Sequence, residues 1–167
     1  MAEFRAQRRP CWRAIFLSGA SAGVLSTLLQ VVLWLVFTDE FPAVLFRDAR
    51  LTAALLLGNS VLPPPATFDA GVMLAATVIH FALSMVYAAL LLALAARLNG
   101  AQALLAGGIF GVALYAVNLY GFTAIFPWFA QARSWIALFA HVAFGLAVVA
   151  TCRLPGFRNA RLRSGGH

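Results

Sequence analysis

The chain has 167 residues, 63% of them hydrophobic and only 10% charged, with a net charge of +7 and a mean hydropathy of +0.90. Soluble domains carry about 25% charged residues, so this composition excludes an ordinary water-soluble domain and predicts one membrane domain over residues 1–167. The positive charge does not point to nucleic acid: all twelve basic residues are Arg, and they cluster at the ends of apolar stretches, where membrane topology accounts for them.

Four stretches contain no Asp, Glu, Lys or Arg: Ala14 to Thr38, Ala70 to Ala96, Leu98 to Ala132 and Ser134 to Cys152. A bilayer core of roughly 30 Å takes about 20 apolar residues in a helix, and in hydrocarbon the backbone must satisfy its own hydrogen bonds. The first helix is predicted over about 13–37. Its apolar run exceeds the usual core of a cleavable signal, of about 7–15 residues, and no small-residue cleavage site follows, so it is expected to remain uncleaved. Phe41-Pro42 then interrupts the pattern, since proline lacks an N–H. Residues 42–57 predict a short helix, too short and too charged at its start to span, lying in the outer interface or partly re-entrant against the bundle. Gly58 and Asn59 end it, and Pro63, Pro64 and Pro65 stiffen the approach to a second spanning helix over about 72–96. Asn99-Gly100 predicts a tight turn. A third helix follows over about 101–126, ended by Pro127, and a fourth over about 134–152. Trp128 and Trp135 fall where aromatic belts form. The basic tail over about 154–167 is expected to be disordered.

The fold class expected is therefore all-α: a four-transmembrane-helix bundle built from two tandem helical hairpins, plus one short interfacial helix. Nine Arg lie at one set of helix ends, against Arg47, Arg50 and Arg133 at the other. The excess of Arg marks the cytoplasmic side, so both termini are expected there, in contact with anionic lipid. Cys11 and Cys152 then fall in a reducing compartment, and no disulfide is expected.

The two hairpins share a pattern. Gly19 and Gly23 precede Gln30, and Gly107 and Gly111 precede Asn118; His80 is followed one turn later by Ser84, and His141 by Gly145. At 1.5 Å per residue, these four polar residues lie about 10–12 Å in from the outer helix ends. Gln30, His80, Asn118 and His141 thus form a candidate polar layer on helix faces rich in small residues, which favour close packing.

Several readings fit that layer. A hydrogen-bonded lock between helices is the plainest, since each side chain both donates and accepts. His80 and His141 could alternatively ligate a b-type haem from two helices. An oligomeric transporter or channel-like protein is a third reading, with histidines carrying protons, although no Asp or Glu lies within the spans. Ser84 with His80 lacks a third group to orient it and an oxyanion hole, so no enzyme is expected. No metal site is expected either, for want of carboxylate or thiol ligands at that depth. Arg47 and Arg50 are candidate anion contacts at the mouth of the layer. The paired glycines serve packing within the chain or, alternatively, contact with a second copy or a larger membrane complex.

The stretch LPPPATFDAGV (Leu62 to Val72), running into VIHFALSMVYAALL (Val78 to Leu91), resembles a family of small bacterial four-helix inner-membrane proteins of uncharacterised function, some of which bear the name sodium:proline symporter. The resemblance implies a bacterial cytoplasmic membrane and a four-helix architecture. It transfers no catalytic residue, and no sodium-site pattern is found here. The expected role is an accessory or oligomeric membrane module, with the lipid bilayer as its first partner.

Overall fold

A computed structural model describes residues 12–153, all of it helix and connections. Five helices are long enough to label: α1 (Trp12–Phe37), α2 (Ala43–Leu57), α3 (Ala70–Leu94), α4 (Gly100–Ala116) and α5 (Trp135–Arg153). Cys11 and the basic tail from Leu154 lie outside the described residues. Counting the turns that extend α3 and α4, four segments are long and apolar enough to cross a membrane: Trp12–Phe37, Ala70–Arg97, Gly100–Ala124 and Trp135–Arg153. The chain is a multi-pass membrane protein with an all-α bundle fold.

Local chemistry sets the helix boundaries. Asp69 caps α3 by accepting from the Val72 amide at 2.9 Å, so the helix begins at Ala70, just ahead of the predicted start near 72. Asn99 and Gln102 form a reciprocal capping box at the start of α4, satisfying amides that would otherwise lack partners. The Ser134 hydroxyl accepts from the Ala137 amide at the start of α5. Gly58 ends α2 with φ +78, a left-handed conformation that a Cβ would strain.

The bundle is packed with its small residues inward. On α1 the buried positions are Ala14, Ser18, Gly19, Ala22, Gly23, Ser26 and Trp34, while Phe16, Leu17, Leu25, Leu28 and Leu35 face outward. Water would not tolerate that surface, whereas hydrocarbon does, and small residues let helix backbones approach closely. Gly19 and Gly23 lie against Ser84 and His80 of α3. Gly107 lies against the Gly145 carbonyl, and Gly111 against His141 and Val142, so closely that a Cβ on any of these α4–α5 glycines would meet backbone. All four glycines are thus spent on contacts within each hairpin, α1 with α3 and α4 with α5.

The two hairpins join through an extensive α1–α5 seam. In a symmetric pair of hairpins that seam would have a counterpart between α4 and α3, but those two helices barely approach backbone to backbone. Near the α3–α4 turn they share an apolar cluster that includes Leu91, Leu92, Ala103, Leu114, Phe144 and Val148. Away from it α2 packs in. Val44 meets Trp34 of α1 and Ile136 of α5, and Leu51, fully buried, packs with Leu119, Ala132 and Ala137. Of the two placements expected for this short helix, the one against the bundle is found. Trp128 is drawn inward with it, donating from its indole N–H to the Leu51 carbonyl at 3.0 Å, while Trp135 stays half exposed against Phe37.

Helix α4 departs from the expected continuous helix through residue 126. Its α-helical part stops at Ala116, and a π-helical turn follows over Val117–Gly121. The Phe122 amide donates to the Val117 carbonyl, five residues back. Arg133 takes the Leu119 carbonyl through Nε at 2.8 Å, and its guanidinium lies 4.3 Å from the centre of the Tyr120 ring. A cation reaching back from the following loop thus supplies a partner for a carbonyl in the irregular turn.

Candidate functional site

The bundle holds a half-enclosed cavity of about 460 Å³, with lining residues from all five helices. Its walls are mostly apolar, including Trp34, Phe81, Phe122, Phe129 and Phe144. Gln30, His80, Asn118 and His141 all line it, so the four residues of the sequence-derived layer share one space. They do not form one hydrogen-bonded ring.

Asn118 and His141 belong to a chain with one consistent direction. The Tyr87 hydroxyl donates to Asn118 Oδ1 at 2.8 Å, which turns the carboxamide nitrogen toward His141 Nε2 at 3.3 Å. On its other side His141 Nδ1 lies 2.7 Å from the Ala137 carbonyl. A carbonyl can only accept, so Nδ1 carries the proton and Nε2 accepts from Asn118. The imidazole in this arrangement is neutral and both its nitrogens are partnered. The π turn is what carries Asn118 at the end of α4 into this position.

The first hairpin is arranged differently. His80 Nε2 lies 3.4 Å from the Gly23 carbonyl and 3.3 Å from Thr27 Oγ1. A proton on Nε2 serves both as acceptors and leaves Nδ1 without a partner among the described residues. Thr27, not Gln30, is the α1 side chain that His80 hydrogen-bonds. Gln30 is half-buried and makes no side-chain hydrogen bond among the described residues. Ser84 also lines the cavity but is not bonded to His80.

Arg47 and Arg50 do not line the cavity, contrary to the expectation of anion contacts at its mouth. Arg47 places Nε at 2.9 Å and Nη2 at 2.8 Å from Asp48 Oδ1. Arg50 reaches over the following loop to the Thr67 and Val61 carbonyls, each at 3.1 Å. Short-range partners consume both guanidinium groups: one is paired with a carboxylate and the other staples the proline-rich segment to α2.

No family model, curated protein or solved structure matches this chain. The site is therefore read from its own chemistry.

Asp48 is the residue that sequence reasoning missed. It lines the cavity together with the two histidines, although it belongs to a helix that reads as interfacial. Burial pushes its carboxyl above the usual carboxylate range, against the opposing pull of Arg47. Among the described residues no group of three or more His, Cys, Asp or Glu is arranged to hold a metal ion. Thr27 and Tyr87 were also missed as partners of the histidine layer. The available signal was their place one turn from Gln30 and Ser84 on the same small-residue faces.

Proposed function

We propose that the chain is a non-enzymatic membrane module that holds a small lipophilic molecule, as an accessory subunit or an oligomer, in a bacterial cytoplasmic membrane with both termini inside. The observation that carries this reading is the cavity of about 460 Å³ lined from all five helices. Ligand sites typically occupy about 300–1,000 Å³, with apolar walls and a few convergent polar groups. A bundle needing only a hydrogen-bonded lock could close such a space with small residues, as it closes α1 on α3 and α4 on α5. The Arg distribution supports the orientation, and the resemblance carried by Leu62 to Val72 and Val78 to Leu91 supports the membrane assigned. The non-enzymatic reading is supported by Ser84 and His80, which share a helix without a mutual hydrogen bond or an orienting third group.

Haem fits these residues poorly. Both Nε2 atoms already have protein partners, and among the described residues no Arg lines the cavity to meet propionates. Transport by an oligomer is the second reading, favoured by the π turn over Val117–Gly121, since such turns in helices often accompany functional sites.

Native mass spectrometry of the protein released from lipid nanodiscs tests the proposal. One small molecule bound per chain, or stoichiometric uptake of an added lipophile, is the expected result. A chain that takes up none of a panel of lipophiles, and whose melting temperature none of them raises, overturns it.

A further inference from the structure

We propose that the cavity takes a lipophilic amine: a molecule with an apolar body and an ammonium headgroup that meets Asp48. This rests on the ligand-holding reading above and names the chemical class of the ligand. The charge of the walls is the first argument. Among the described residues Asp48 is the only Asp or Glu that lines the cavity, and no Lys or Arg lines it. Arg47 satisfies Asp48 on one oxygen alone, with both its nitrogens on Oδ1. Oδ2 meets no donor among the described residues.

The second argument is a count of donors and acceptors around the cavity. The Tyr87 hydroxyl hydrogen is given to Asn118, and the Asn118 amide to His141. The His80 N–H goes to Gly23, and the Thr52 and Thr77 hydroxyls go to carbonyls of their own helices. Asp48 Oδ2, His80 Nδ1 and the lone pairs of Tyr87 are left over as acceptors. Gln30, Thr27 and Ser84 retain hydrogens to give, but hydroxyls can also turn to accept. A headgroup that donates meets the one charged acceptor of this set, whereas one that only accepts meets neutral donors alone. An anionic headgroup would also face the carboxylate with no cation in the wall.

The aromatic lining is the third argument. Rings such as Trp34, Phe81 and Phe129 suit both an apolar body and a positive charge, since a ring face attracts cations. Arg47 offsets part of the cost of a partly desolvated carboxylate through Oδ1, and an ammonium on Oδ2 would offset more.

Three probes with one apolar body decide the matter: 1-adamantylammonium, 1-adamantanol and adamantane-1-carboxylate, titrated calorimetrically into the protein in nanodiscs against empty nanodiscs. The ammonium compound is expected to bind saturably, one per chain, and at least about tenfold tighter than the other two, a readily resolved difference. Asp48→Asn should reduce its affinity to that of the alcohol, while Asp48→Glu should retain the preference. If the alcohol or the carboxylate binds as tightly as the ammonium to the unaltered protein, the amine assignment falls and the cavity remains a general lipophile site. If none of the three binds, and the wider lipophile panel also fails, the cavity reading falls with it. An ammonium preference that survives Asp48→Asn in a folded variant overturns the assignment to Asp48. The order of the three probes on the unaltered protein decides the class even if that variant does not fold.

Discussion

The Tyr87 hydroxyl stands 2.8 Å from Asn118 Oδ1, and among the described residues this is the only side-chain hydrogen bond tying α3 to α4 and its terminal π turn. It crosses the side of the bundle where backbone packing is thin. Tyr87→Phe removes the hydroxyl and keeps the ring, so it reports on the bond alone. Interhelical hydrogen bonds in membranes average about 0.6 kcal/mol and reach about 1.7. A double-mutant cycle of Tyr87→Phe with Asn118→Ala, measured by reversible unfolding in mixed micelles, is expected to give a coupling within that range. A coupling indistinguishable from zero would mean that the two groups do not depend on each other.

Glycines on α4 should separate sharply in their tolerance of a methyl group. A Cβ on Gly111 would overlap the His141 carbonyl and Val142 Cα, while one on Gly108 would meet only Leu146 Cδ2 at 3.9 Å. Backbone cannot rotate away as a side chain can, so Gly111→Ala must push α5 outward. Overpacking typically costs about 1–3 kcal/mol, and here the displacement would also move His141. Gly111→Ala is expected to lose at least that much stability or fail to fold, and Gly108→Ala to behave as the parent. Equal melting temperatures for the two variants would contradict the close α4–α5 contact.

The spanning helices and their inward glycines were legible because both follow from local rules: charge-free length for the spans, and small-residue spacing for the faces. Gln30, His80, Asn118 and His141 could be placed at one depth by counting rise along each helix. Their partners could not be read that way, since pairing depends on rotation and on deviations from ideal helix. Asn118 reaches His141 from a π turn where Arg133, fourteen residues away, binds the Leu119 carbonyl. No periodicity announces that contact. Asp48 was missed for a related reason. A carboxylate in a short helix after Phe41-Pro42 reads as interfacial, and only the burial of Leu51 and Val44 brings that helix into the bundle. Arg47 and Arg50 were misjudged because proximity to the mouth says nothing of the nearer partners, Asp48 and Thr67, that claim them.

Ser18 carries the one buried side-chain polar atom without a hydrogen-bond partner among the described residues. It is fully buried on α1. A buried hydroxyl left unsatisfied costs about 1–3 kcal/mol, and alanine removes it without adding volume. Ser18→Ala is therefore expected to raise the melting temperature in detergent, by an amount equivalent to about 1 kcal/mol or more. A lowered melting temperature would show that the hydroxyl has a partner in the folded protein.

Asp48 makes a prediction about pH whose sign follows from its burial. The folded-state carboxyl titrates above its ordinary range because burial outweighs the pull of Arg47. The folded protein therefore holds this proton more tightly than the unfolded chain does. The stability it contributes is complete below the unfolded value of about 3.9 and is lost as pH rises through the raised folded value. Asp48→Asn removes that titration and leaves the histidines in place. The stability of the parent relative to the variant should thus decline as pH rises from about 3.9 to the raised folded value, then level off. Thermal unfolding of both proteins in one detergent, across a series of buffers, supplies the difference curve. A curve that rises over that interval would mean that Arg47 dominates and that the carboxyl titrates below its ordinary range. A flat curve would mean that folding does not change its environment. A decline would show a carboxylate held at a cost to the fold, as expected of a group kept to meet a positively charged ligand.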